Sequence, residues 1–204
     1  MLMIRGGGFS FRADGPLDLR FDQSRGETGT QLIASSSEDE LVQVLLEYGE
    51  LREAKRLACA MKGTLLQTTE QLRQVAETVL KWRTSKLLPQ VFQALRIWVN
   101  DEIRALEHLL TVGPNMLKDG GRMGVISYHS LEDRLVKHTF RDLSTPPKDP
   151  VTGQDVHAAL FRVLTKRPVQ PKAVEQSQNP RSRSAKLRVL ERRDSPPEEN
   201  MSGF

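Results

Sequence analysis

The side chains best suited to chemistry fall in the last third of the chain. From Arg162 to Arg193, ten Lys and Arg stand against two acids, Glu175 and Glu191. A basic stripe confined to one segment is the footprint of phosphate contact, although a solvated charged face gives the same count. Arg181 and Arg183 read as loop residues. Lys186 and Arg188, two apart in an alternating run, share one face of a strand. Upstream, a short apolar run ends in Ser127-Tyr128-His129. An imidazole there can accept a proton or hold a phosphate, and a phenol ring can stack on a base. The same residues have a structural reading, because Ser130 and Asp133 suit a helix cap with His129 merely preceding it.

These groups need elements to position them. Ser37 with Glu40 and Thr68 with Gln71 are capping-box pairs, each ahead of apolar residues at helical spacing. Between them a second helix carries Leu51, Ala54, Leu57, Ala58 and Met61 on one side, with Gly49 before it and Gly63 after it. Cys59 is expected on its buried side. A longer stripe, Phe92, Leu95, Val99, Ile103, Leu106 and Leu110, predicts one continuous helix closed by Gly113-Pro114. Residues 122–128 suit a buried strand, followed by a helix to about Arg141. Residues 161–166 and 186–190 alternate as paired strands joined by a long basic loop, residues 172–184. Residues 1–34, with Gly6 to Gly8, Phe9, Phe11 and Phe21, read as irregular. Three strands beside about five helices make a sheet that looks incomplete.

Composition narrows the class. Of 204 residues 38% are hydrophobic, enough for a core, and the net charge is only +4. A single cysteine excludes an internal disulfide and fits a reducing compartment. No apolar run approaches the roughly 18 to 20 residues a membrane span needs, so no membrane partner and a cytoplasmic location are expected. His108, His129, His138 and His157 lack metal-ligand spacing, and no metal is expected.

Five blocks together resemble one family: GFSFRADGPLDLRFD (8–22), EYGELREAKRLA (47–58), VFQALRIWVNDEI (91–103), GGRMGVISYHSLEDRLVK (120–137) and NPRSRSAKLRV (179–189). They are similar to the bacterial methyltransferases that modify the exocyclic N4 of a cytosine in 16S ribosomal RNA with S-adenosyl-L-methionine. The resemblance implies an α/β fold. The chain would hold the C-terminal part of a doubly wound class I methyltransferase sheet, about three strands, plus an inserted helical substrate-recognition domain. It divides the chain into a connecting segment (1–34), the insertion (35–88), the methyltransferase part (89–193) and a disordered acidic tail (194–204). The first four strands and the glycine-rich donor loop of the family have no counterpart here, so no cofactor-binding residue is expected in this chain. The expectation is therefore a truncated version, inactive alone. Gly6 to Gly8 have five residues before them and neither a flanking strand nor a helix, which argues against a cofactor loop.

The implied chemistry is demanding, because the N4 lone pair is delocalised into the ring and must be aligned with the methyl donor while acceptors draw off its protons. Tyr128 and His129 are the candidate catalytic residues, at the carboxyl end of the one strand with that placement. Arg181, Arg183, Lys186 and Arg188 are candidates for the RNA backbone. Arg96 and Asn100, one turn apart, would contact RNA, brace the two domains or simply be solvated. The expected partner is 16S rRNA in the small ribosomal subunit. The alternatives are a non-catalytic RNA-binding fragment and a helical protein-interaction domain.

Overall fold

A computed structural model describes residues 14–193. The glycine run, Phe9, Phe11, Arg12 and the acidic tail lie outside the described residues. The chain divides into two compact units, one ending at Glu102 and the other beginning at Ile103. Among the described residues no helix is long and apolar enough to cross a membrane.

The first unit is helical: α1 (Gly29–Ser35), α2 (Glu38–Glu47), α3 (Ala54–Lys62), α4 (Thr69–Leu80) and α5 (Thr84–Asn100). Both expected capping boxes form, at Ser37 with Glu40 and at Thr68 with Gln71. A third, Thr28 with Gln31, starts α1 inside the segment read as irregular. Seven residues carry too little apolar periodicity to stand out in the sequence. The core comes from the inward stripes: Leu41 and Leu45, Leu57 and Met61, Leu72 and Ala76, Val91 and Leu95. Gly49 is required by close approach, since a Cβ there would sit 2.7 Å from the Leu45 carbonyl oxygen and 2.8 Å from Leu51 Cδ1. Cys59 is exposed, contrary to expectation. The inward positions of α3 are Ala54, Leu57, Ala58 and Met61, and Cys59 falls to the side of that stripe.

The long stripe ending at Leu110 is two helices. Asp101 adopts φ 51°, ψ 39°, ending α5, and α6 (Glu102–Val112) starts afresh. Asp is among the few L-residues that tolerate the left-handed region, so an unbroken apolar period concealed a break. Phe92 and Leu95 belong to the core of the first unit, and Leu110 to that of the second. Helix α5 also runs across the 88/89 boundary set from the sequence.

In the second unit β1 (Arg122–Ser127), β2 (Phe161–Val163) and β3 (Lys186–Arg192) form an antiparallel sheet in the order β1-β3-β2. The 161–166 and 186–190 runs do pair, Phe161 opposite Arg192 and Val163 opposite Leu190. Leu190, Met123, Val125 and Phe161 pack with Val136 and Phe140 of α7 (Ser130–Leu143). Strand β1 is not buried on both faces as expected. It alternates, Met123 and Val125 turned to the core and Ile126 56% exposed. The expected loop over 172–184 contains α8 (Ala173–Gln178) and a 3-10 turn, Pro180–Ser184.

Candidate functional site

At the end of β1 the chain turns directly into α7, and Ser127, Tyr128 and His129 form the corner. Ser127 is buried, its hydroxyl donating to the Lys186 carbonyl over 3.3 Å. Tyr128 is 55% exposed, so its ring is free to meet a planar ligand. His129 is itself the N-cap of α7: its Nδ1 accepts from the Glu132 N–H at 3.4 Å. Glu132 reaches back to accept from the Tyr128 N–H at 2.8 Å and the His129 N–H at 3.4 Å. The cap expected at Ser130 and Asp133 therefore lies one residue earlier, with an imidazole standing in for the usual hydroxyl.

The cap constrains the chemistry of His129. Its side chain is 8% exposed, and Nδ1 is occupied as an acceptor, which assigns the proton of the neutral ring to Nε2. Nε2 lies 3.4 Å from Glu132 Oε1, but makes no hydrogen bond among the described residues. Burial alone would raise the Glu132 carboxyl. The His129 ring and the Tyr128 N–H more than offset it, holding the pKa below the ordinary glutamate range.

Asp133, released from capping, turns to the sheet. It accepts from Arg188 Nε at 2.7 Å and Lys186 Nζ at 3.1 Å. Arg188 is buried, its side chain only 7% exposed. The shared face read from the alternation of β3 is real, but it is the inner face, opposite Val125 and Ser127. That corrects the expectation of a backbone contact by Arg188, whose guanidinium braces α7 against the sheet instead. Desolvation raises the Asp133 carboxyl, and the two cations override it, leaving its pKa below the usual value.

Glu191 was not singled out in the sequence. On the outer face of the sheet it stands opposite both Arg122 and Arg162 and accepts from each Nε at 2.7 Å. The Arg122 hydrogen bond is the main reason its pKa is lowered; desolvation opposes it and Arg162 reinforces it. Register carries this triad: three strands place three charges in one row.

Arg181 and Arg183 lie on the 3-10 turn, not a loop. Both are exposed, without an ion-pair partner among the described residues. Arg96 and Asn100 are committed within the first unit. Arg96 Nε and Nη2 donate to the two Glu102 oxygens at 2.8 and 3.1 Å, spanning the break at Asp101, and its guanidinium lies 6.0 Å from the Phe21 ring centroid. Asn100 Nδ2 donates to the Leu19 and Arg96 carbonyls, each at 2.8 Å, and its Oδ1 accepts from the Phe21 N–H at 2.7 Å. Their work is to clamp residues 19–21 onto α5.

A helical unit and an α/β unit with basic surface turns, in one chain, are the class these observations define. The chain belongs to the MraW methylase family, whose description matches residues 2–193. It is 45% identical over 190 residues to the ribosomal RNA small subunit methyltransferase H of Cyanothece sp. (strain PCC 7425 / ATCC 29141), covering 92% of this chain and 60% of that protein. The protein of the same name from Synechocystis sp. (strain ATCC 27184 / PCC 6803 / Kazusa) is 43% identical over 193 residues, 91% of this chain and 57% of the relative. That from Geotalea daltonii is 45% identical over 200 residues, 91% and 63%. The chain thus spans about 60% of the length of these relatives.

A methyl-donor crevice in a doubly wound sheet opens where the order of neighbouring parallel strands reverses. Among the described residues every strand pair is antiparallel.

Proposed function

We propose that this chain works in the methylation of a cytosine N4 of 16S rRNA in the small ribosomal subunit, with S-adenosyl-L-methionine as donor. In this reading it supplies the RNA-facing helical unit that ends at Glu102 and, in the unit that begins at Ile103, the edge of a doubly wound class I sheet, the donor site lying outside the described residues. The family match over residues 2–193 carries the reading. The outer sheet face lends support: Gly124 and Ile126 are exposed and Leu187 and Val189 only half-buried. A doubly wound sheet covers both faces with helices.

In this mechanism Arg181 and Arg183 take RNA phosphates, with Lys186 contributing through its one-third exposed side chain. Tyr128 offers its ring to the base. His129, its Nδ1 held by the α7 cap and its Nε2 buried 3.4 Å from Glu132 Oε1, fixes the corner that carries Tyr128 rather than taking the amine proton itself. Removing the His129 ring should lower methylation in a full-length relative far more than it lowers stability. Unchanged turnover in that His129→Ala variant would remove the role.

The whole proposal is tested by titrating the 204-residue chain with 16S rRNA fragments at several salt concentrations. Binding that weakens steeply with salt is expected; no binding would leave a helical protein-interaction domain. Calorimetry with S-adenosyl-L-methionine should show no binding, and micromolar affinity would overturn the placing of the donor site. The antiparallel strands equally suit a second reading, an RNA-binding module with no catalysis of its own. Methyl transfer by this chain alone would exclude it.

A further inference from the structure

Trp82 is 87% exposed, on the 3-10 turn Lys81–Arg83 that joins α4 to α5. A ring of that size left in water forgoes more burial than any other side chain would. The turn holding it is over-determined rather than slack. Lys81 takes φ 52°, ψ −125°, a region nearly reserved for glycine. Its N–H donates to the Glu77 carbonyl, and the buried Thr84 hydroxyl donates to its carbonyl at 2.6 Å. Arg83 pairs with Glu53, while Leu80 and Leu87 are buried on either side. A strained, pinned turn thus holds an aromatic ring outward.

The exposed Lys and Arg nearby stand without ion-pair partners among the described residues. Lys81 and Lys86 are exposed and have no ion-pair partner among the described residues. The Arg83–Glu53 link ties the turn to the start of α3, where Arg52 and Arg56 are exposed and likewise unpaired among the described residues. The acids of this region are engaged, Glu53 by Arg83 and Glu77 by Arg73. A rigid exposed ring among free cations suits unpaired nucleotides. Any base offers a π-face to the ring, the cations meet the phosphates, and a duplex keeps its base faces covered.

We infer that Trp82, with Lys81 and Lys86, is a stacking site for an unpaired base of a single-stranded RNA segment. The inference rests on the RNA reading above and adds a base-binding position in the helical unit. It is tested on the full chain carrying Trp98→Phe, which leaves Trp82 the sole tryptophan. The probes are a single-stranded 12-nucleotide RNA and the same strand annealed to its complement. The single strand should quench Trp82 emission saturably and the duplex should not. Trp82→Ala, in the otherwise native chain, should weaken single-strand binding about tenfold, with Trp82→Phe retaining most of it. Lys81→Ala and Lys86→Ala should each lower the salt slope by about 1. Equal quenching by strand and duplex, or unaltered affinity in Trp82→Ala, would overturn the stacking site. If RNA still binds through Arg181 and Arg183 in that case, the broader RNA reading stands; if the native chain binds no RNA at all, both fall.

Discussion

Two pairs of cations, close in sequence, meet opposite fates. Lys186 and Arg188 sit on a strand whose alternation turns them under α7, where Asp133 holds both. Arg181 and Arg183 sit on a 3-10 turn, and both face solvent without an ion-pair partner among the described residues. Charge density along a sequence is therefore not the same as accessible charge. The strand converts Arg188 wholly and Lys186 in part into bracing, and the turn before it leaves its cations available to a ligand.

The largest effect that can break this contrast is at Asp133. Asp133→Ala should destabilise the second unit by about 3 kcal/mol, because it leaves the Arg188 charge buried and uncompensated; chemical denaturation measures it. Arg181→Ala should change stability by no more than about 0.5 kcal/mol. Equal losses for the two variants would erase the distinction. In the first unit Asn100→Ala removes three hydrogen bonds to the 19–21 segment and α5, and about 2 kcal/mol is expected in the same measurement. His129→Ala removes the α7 cap and should cost about 1 kcal/mol.

The acid limb sharpens the comparison. The folded Asp133 pKa is depressed, so its contribution is present above the ordinary aspartate value near ~4 and disappears as pH falls through the lower folded value. Below about pH 4 the native chain should lose stability more steeply than Asp133→Asn, and parallel pH profiles would contradict the assignment. The double variant Arg181→Ala, Arg183→Ala belongs with the small stability effects. It should fold normally while the slope of log K against log salt falls by about 2 with 16S rRNA fragments.

Much of the helical unit was legible because its signals are local. The Ser37 and Thr68 boxes require only residues three apart, and the core stripes of α2, α3 and α4 follow a 3.6-residue period. The pairing of 161–166 with 186–190 was readable from alternation. The break at Asp101 was not, because one residue in the left-handed region leaves the apolar period intact on both sides. Cys59 was misplaced because a residue at the margin of a narrow stripe can fall on either side of it. Trp82 gave no signal beyond its type, since the Lys81 backbone that lifts it outward is strained against its own preference.

Sequence alone determined the strands, most of the helices, where two of the caps fall and that the cations crowd into one region, since each depends on neighbours a few residues apart. The tertiary structure decided which of those groups are free. Asp133 and Arg188 are 55 residues apart, and Glu191 meets Arg122 only through the strand register. No local pattern encodes such partners, because burial and pairing arise only when distant elements come to share one face.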